Sequence, residues 1–400
     1  MYEPATRVNQ MTTTFHATPV FPRGFSCASR NCGIKESGRD LSLFYSETEA
    51  SAAAIFTKNQ FPGAPIVVGR EIIRGGVLRA IVVNSRVSNV GRGEEGIRNA
   101  RRMGAAAARA LNVPAHQVLM SSTGIIGIPL PIEKIEAGLQ DIASLLQTDP
   151  MVGAEGIMTT DTHPKAISTS VGNATITVIA KGSGMIEPNM ATMLAYIFTD
   201  AEIAIEPLRE MLVAAADASF NMLSIDTDTS TSDTCVIMAN GQAGPVDHAA
   251  FAAALRDACI RMTEILARDG EGATKLLRVH IMGARERAEA RRVAKAVVNS
   301  PLIKTMAYGA DPNVGRIFMA VGKCFDVAMA SDRLIAAING TIVIENGRKS
   351  DFDEPSLRRS LSGDPVDIAI DLGVGEGEAT AYGCDLTEGY IKENAAYYSS

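Results

Sequence analysis

The residues with the most obvious chemical potential lie near the middle of the 400-residue chain, in Lys181-Gly182-Ser183-Gly184-Met185-Ile186-Glu187-Pro188-Asn189-Met190-Ala191-Thr192-Met193-Leu194. Glycines, a proline and an asparagine mark a loop, and the apolar run Met193 to Phe198 that follows at once sends it into the interior. Thr192 follows a small residue, Ala191. A threonine hydroxyl is a weak nucleophile unless a base stands beside it, and its own free α-amine can be that base. The amine exists only if the Ala191–Thr192 bond is cut. A buried glycine-rich turn entering a core strand accounts for the same composition.

Three further sets of residues could serve a polar reaction. Val118 to Gly124 is an apolar run ending in Ser121, Ser122, Thr123 and Gly124, where a hydroxyl and a free backbone N–H can stabilise an oxyanion, or simply turn the chain. Met158-Thr159-Thr160-Asp161-Thr162-His163 can bond a polar ligand or satisfy its own backbone. Ser224 to Thr234 packs three carboxylates among seven hydroxyls, suited to a cation or an ammonium group, or to a self-bonded loop.

The elements that must position these residues follow from periodicity. Short strands are expected at 42–45, 52–56 and around Val67-Val68, with a buried strand over Arg79 to Ser85. Gly93 to Leu111 reads as a helix stopped by Asn112 and Pro114, and Pro131 to Leu146 as an amphipathic helix. Strands are expected at Ala174–Ala180 and from Met193 to about Phe198, and helices at Pro207–Ala218 and His248–Arg268. A flexible acidic loop, Asp269 to Lys275, precedes a strand from Leu276 to Met282. Beyond it come a helix at Ala284–Asn299, a hairpin across Asn339-Gly340, and strands at Val366–Leu372 and Ala379–Gly383. Residues 388–400 show no core periodicity. The mixture predicts an α/β or α+β class.

Composition narrows the function classes. Apolar residues make up 46% of the chain, enough for a sizeable core, and the net charge of −7 argues against nucleic-acid or anionic-membrane partners. Residues 1–20 lack the order of a signal peptide. The six scattered cysteines read as reduced thiols of a cytoplasmic protein. The five histidines have no zinc-like spacing, so no metal is expected. There is neither a P-loop nor a dinucleotide fingerprint.

Taken together, Ser122-Thr123-Gly124, Met158 to Thr162, Lys181 to Leu194, Asp228 to Thr231, Asp269 to Lys275 and Asp385 to Tyr397 resemble the ornithine acetyltransferase (glutamate N-acetyltransferase) family over roughly Gly24 to Ser400. The resemblance implies an αββα-type layered sandwich, reminiscent of N-terminal-nucleophile hydrolases, with a smaller second domain. It implies self-cleavage between Ala191 and Thr192 into chains 1–191 and 192–400, which share one catalytic unit as an α2β2 heterotetramer. The implied reaction moves acetyl from N2-acetyl-ornithine to glutamate through an acetyl-Thr192 enzyme. It needs no cofactor, and acetyl-CoA is a possible donor. Thr123 and Gly124 would form the oxyanion hole, and Thr159, Lys181, Thr192, Glu271, Asn394 and Ser399 would contact the amino-acid substrate.

The chain departs from the family pattern at four places. Val314 stands where Trp is usual, Asn84 to Val90 replaces a more Gly/Ala-rich segment, Thr227 sits where Gly is common, and Ser399 where Thr is usual. The wording of Ser224 to Asp233 is closer to the family member of clavulanic acid biosynthesis. A self-cleaving amidase or aminopeptidase, an acetyltransferase of a specialised pathway and an uncut structural paralogue are the competing expectations.

Overall fold

A computed structural model describes residues 13–187 and 193–396. The chain divides into two units: a larger one of Thr12–Asn221 and Thr229–Met262, and a smaller one that takes Met222–Asp228 and Thr263–Ser400.

The larger unit contains strands β1 (Phe25–Arg30) and β2 (Leu41–Phe56), helix α1 (Ala64–Ile72), β3 (Val77–Asn84), α2 (Gly93–Leu111), β4 (Val118–Ser122), α3 (Ile132–Leu139) and α4 (Pro150–Ile157). These are followed by β5 (Lys165–Val171), β6 (Ala174–Lys181), β7 (Leu194–Glu202), α5 (Ile205–Ala218), β8 (Thr234–Pro245) and the first part of α6 (His248–Arg268). Its strands form one eight-stranded sheet in the order β4-β3-β2-β8-β7-β6-β5, with β1 pairing β2. The sheet folds over along β2. Residues 41–46 of that strand pair β1, the register with β3 shifts between Tyr45 and Ala50, and residues 51–56 pair β8.

The fold-over brings Phe44 of one half against Tyr196 and Phe198 of the other, with ring centroids 5.3 Å apart in both cases. The two halves are therefore facing layers with an apolar interior built from Leu78, Ile81, Val83, Ile179, Leu194, Val236 and Met238. Outside the first layer, Ala64 and Val68 of α1, Ala100, Met103 and Ala107 of α2, and Ile135 and Leu139 of α3 pack on Ala80, Val82, Val118 and Met120. Outside the second, α5 packs on β2, and Cys259 of α6 lies beside Cys235 of β8. This is the αββα arrangement expected from the resemblance.

The smaller unit continues with β9 (Leu276–Ala284), α7 (Arg287–Val298), α8 (Pro301–Tyr308), α9 (Gly315–Gly322), β10 (Ile335–Ile338), β11 (Thr341–Glu345), β12 (Arg348–Lys349), α10 (Glu354–Leu361), β13 (Val366–Asp371), β14 (Gly377–Cys384) and α11 (Glu388–Ala396). Its six-stranded sheet runs β12-β11-β10-β13-β9-β14, and α7 covers β9 and β14. The hairpin β10–β11 turns on Asn339 and Gly340, both left-handed as a two-residue hairpin turn requires.

Several expectations need correction. Val67 and Val68 are helical, because Pro65 sets the first turn of α1 and Ile66 and Val68 point inwards. The segments 42–45 and 52–56 are one strand. The helix expected over Pro131–Leu146 stops at Leu139; Asp141 then accepts from the Ser144 N–H and hydroxyl in a separate turn. Strand β5 and helix α8 lie where no element was expected, and the aperiodic tail contains α11. Two of the four family departures occupy left-handed backbone: Arg86 at φ 80° and Thr227 at φ 69°. A glycine would adopt either without steric cost. Val314 is buried at the start of α9.

Candidate active site

In the larger unit, the strand ends of both layers meet. Strand β3 pairs β4 in parallel up to Asn84 and Ser122. The Ser122 hydroxyl donates to Asn84 Oδ1 at 2.6 Å, and Asn84 Nδ2 donates to the Val87 carbonyl at 2.8 Å. The Thr123 N–H donates to the Asn84 carbonyl at 3.1 Å. Its backbone donor is thus engaged, and the hydroxyl is the group it can offer. Gly124 has φ 126°, and a Cβ there would lie 2.2 Å from the Arg86 carbonyl carbon. Only glycine fits. Among the described residues none accepts from the Gly124 N–H.

Lys181 closes the second layer. It ends β6, lies 8% exposed, and its Nζ reaches Thr123 Oγ1 at 3.4 Å. In the antiparallel pairing of β6 with β7 it stands opposite Leu194, two positions after Thr192. Ala191 and Thr192 themselves lie outside the described residues, as does Ser399.

Asp161 fixes this corner. The carboxyl is wholly buried; burial would raise its pKa, but the Lys181 and Lys165 ammonium groups and the N–H of Thr159 hold it down at about 2. Lys165 Nζ donates to it at 2.6 Å and the Gly182 N–H at 2.7 Å. The half-buried Thr159 turns its own N–H to the same carboxylate at 3.0 Å. So Asp161 satisfies the local backbone and spends its lone pairs holding the residue after Lys181. Two cations not singled out from the sequence act here. Lys35 donates to the Met158 carbonyl at 2.8 Å; burial lowers its pKa, and both Lys181 and Arg86 add to that lowering. Lys35 is set by the buried Asp40, which accepts from the N–H groups of Cys32, Ile34 and Lys35. Nothing in the glycine- and serine-rich wording of that loop signals such a role.

The smaller unit holds Glu271 and Asn394. Asn394 Nδ2 donates to Glu271 Oε2 at 2.7 Å and to the Tyr390 carbonyl at 3.0 Å. Gly272, at φ 68°, lets α11 approach; a Cβ would lie 2.4 Å from Tyr390 N. The Thr387 hydroxyl donates to the Gly272 carbonyl at 2.6 Å. The loop expected to be flexible is therefore tied to α11. Carboxylates gather around it. Tyr390 is pushed up to about 12 by burial and by Asp226, Glu271 and Asp228, and burial, Glu271 and Asp269 raise Glu393. Such a potential favours an ammonium group. The hydroxyl-rich block 224–234 is split: Asp226 and Asp228 belong to the smaller unit and Asp233 to the larger. Among the described residues no cluster suits a metal ion.

Comparison with known proteins decides the family. The ArgJ family model matches residues 26–399. The chain belongs to the ArgJ family. It is similar to arginine biosynthesis bifunctional protein ArgJ 2 of Clostridium acetobutylicum, with 45% identity over 94% of this chain and 98% of that protein. It is also similar to glutamate N-acetyltransferase Oat2 of Streptomyces clavuligerus, with 43% identity over 95% and 99%. Among solved structures, ornithine acetyltransferase of Mycobacterium tuberculosis complexed with ornithine matches with 32% identity and a TM-score of 0.42, over 45% of this chain and 100% of that one. No helix among the described residues is long and apolar enough to cross a membrane.

Proposed function

We propose that the protein is a self-processing acetyltransferase that moves acetyl from N2-acetyl-L-ornithine to L-glutamate, giving L-ornithine and N-acetyl-L-glutamate. The observation that carries this reading is the approach of the Lys181 ammonium to the Thr123 hydroxyl at 3.4 Å, where β6 ends opposite Leu194. Family membership supports the same reaction.

Cleavage comes first. Thr192 Oγ1 attacks the Ala191 carbonyl, the C–N bond breaks as the hydroxyl proton passes to the nitrogen, and Thr192 is left with a free amine while its Oγ1 carries Ala191 as an ester. The resulting ester to Ala191 is hydrolysed by water. A model α-amine titrates near ~7.7–8.0, so it serves as a base close to neutrality. In the transfer, the amine takes the proton of Oγ1 as the oxygen attacks the acetyl carbonyl. The oxyanion that forms is met by the Thr123 hydroxyl and the Gly124 N–H, donors fixed before the reaction starts. Collapse returns the proton to the leaving nitrogen of ornithine and leaves acetyl-Thr192. The amine of glutamate then attacks the acetyl carbon and restores Thr192.

Lys181 is a compact cation for the substrate α-carboxylate, with Thr159 beside it on the Asp161 loop. Glu271, held by Asn394, accepts from the substrate amine or amide N–H. Ser399 is assigned to the substrate as well. Chains 1–191 and 192–400 remain together as α2β2 in the cytoplasm, serving arginine biosynthesis without a cofactor.

Intact-mass analysis under denaturing conditions tests the processing: wild type yields two chains and Thr192→Ala one. A wild type that stays whole refutes both the cleavage and the amine as base. Incubation with N2-acetyl-ornithine and glutamate then yields acetylglutamate. Free acetate as the main product assigns the chain to hydrolysis instead. The same assay with acetyl-CoA shows whether a second donor is accepted.

A further inference from the structure

A helix as short as α11 is marginal on its own and normally owes its place to a buried apolar face. Over residues 391–395 α11 shows no such face: all are exposed, Ile391 by 66%. Polar bonds near its start fix it instead. Thr387, directly before the helix, is 8% exposed. Its hydroxyl accepts from the Gly389 N–H at 2.9 Å and donates to the Gly272 carbonyl at 2.6 Å. The first bond is a helix cap, which a carboxylate would make equally well. The second leaves the helix and needs a donor, which a hydroxyl supplies and a carboxylate does not.

The turn reached in this way carries Glu271. The Ala273 N–H donates to the Gly270 carbonyl at 2.8 Å, with Glu271 and Gly272 between them. Turn and helix approach as closely as backbone allows: a Cβ on Gly389 would lie 2.7 Å from Gly272 Cα. Downstream, Asp385 accepts from the N–H groups of Thr274 at 2.8 Å and Lys275 at 3.0 Å. Those bonds prolong the pairing of β9 with β14, which runs to Leu276 and Cys384. The Thr387 hydroxyl has no such second duty; among the described residues its partners are the turn and the helix start. Two consecutive residues of the turn are thus tied to the same segment, the Gly272 backbone to Thr387 and the Glu271 carboxylate to Asn394. Glu271 is 8% exposed, and the direction of its carboxylate follows from what holds the turn against the helix.

A carboxylate used for recognition is effective only when neighbouring bonds fix its direction. We propose that Thr387 is a positioning residue for substrate binding: its hydroxyl locks the 270–273 turn against α11 and so aims the Glu271 carboxylate at the substrate amine or amide N–H. The proposal rests on the assignment of Glu271 to the substrate made above, and adds to it the group that orients the carboxylate.

The test uses the full chain with Thr387→Val, Thr387→Ser, Glu271→Gln and the double variant Thr387→Val/Glu271→Gln. Calorimetry reads the Kd of L-ornithine, and a steady-state assay reads KM and kcat for N2-acetyl-L-ornithine. Thr387→Val keeps the branched shape without donor or acceptor. It raises Kd and KM about tenfold, the scale of one lost hydrogen bond, and leaves kcat within about twofold, the signature of lost binding without lost chemistry. Thr387→Ser keeps both bonds and restores Kd and KM to within about twofold of wild type. Glu271→Gln raises Kd by about 10–10²-fold. The double variant binds like Glu271→Gln alone, because no carboxylate is left to aim. A Thr387→Val variant with wild-type Kd beside a weakened Glu271→Gln overturns the proposal. So does a double variant in which the two losses multiply, or a Thr387→Ser variant as weak as Thr387→Val. If Thr387→Val fails to fold, Thr387→Ala is taken through the same cycle. A Glu271→Gln variant with wild-type Kd, by contrast, refutes the assignment of Glu271 to the substrate, and the proposal falls with it.

Discussion

Replacing Asp161 by Asn tests whether one buried carboxylate holds the corner that carries Lys181. The Asp161 and Lys165 side chains are both fully inaccessible and 2.6 Å apart. Removing one partner of such a pair leaves the other charge uncompensated, at a cost of about 3–5 kcal/mol. The pH dependence follows from the depressed pKa. The carboxyl titrates at about 2 in the folded chain against an ordinary 3.8, and at 1.36 kcal/mol per pH unit the gap is worth about 2 kcal/mol. Because the folded value is the lower one, this contribution is complete above roughly pH 4 and disappears as the pH falls through about 2. Urea unfolding of the larger unit, followed by far-UV circular dichroism because the chain has no tryptophan, reads both quantities. Asp161→Asn should lower the unfolding free energy at neutral pH by about 3–5 kcal/mol and flatten its fall in acid. Adding Lys165→Met should restore most of the loss, since it removes the ammonium that the Asp161 carboxylate balanced. A single variant that loses under about 1 kcal/mol, or that keeps the acid dependence of wild type, refutes the argument.

Two further substitutions test backbone claims. Gly124→Ala places a Cβ 2.2 Å from the Arg86 backbone at φ 126°; it should destabilise the larger unit by about 2–4 kcal/mol and slow acetyl transfer by about 10²–10³, and a variant with unchanged kcat removes Gly124 from the oxyanion site. Thr227→Gly relieves an exposed β-branched residue at φ 69° and should stabilise the smaller unit by about 0.5–1 kcal/mol; a destabilised variant, measured by the same unfolding, shows that the threonine side chain makes up for its strain.

Legibility in the sequence tracked how local the cause was. Helices α2 and α6 were readable to the residue because their stops are local: Asn112 before Pro114, and Gly270 just past Arg268. Strand β2 was not. What makes 41–56 one strand is that its halves serve two layers, and no period-2 pattern records a fold-over between Tyr45 and Ala50. Helix α1 was misread because Val67-Val68 is β-branched, while the deciding residue was Pro65. The site divides in the same way. Thr123, Gly124 and Lys181 were singled out through the family resemblance, since their types alone left a plain turn or a solvated charge open, and the structure places Thr123 and Lys181 within 3.4 Å. Asp161 was visible as a type but not in its role, since an Asx turn and a buried ion pair begin from the same letters. The hydroxyl-rich block 224–234 was the least legible stretch. Its composition suggested one loop, either holding a polar ligand or bonded to itself, but the chain changes unit within it, sending Asp226 and Asp228 to a carboxylate-rich surface around Tyr390 and Asp233 into the interior beside Met193. Where a chain crosses between units is set by the packing of apolar residues on either side, Leu223 and Ile225 before the crossing and Cys235 and Val236 after it. The polar residues between them only acquire different chemistries as a consequence.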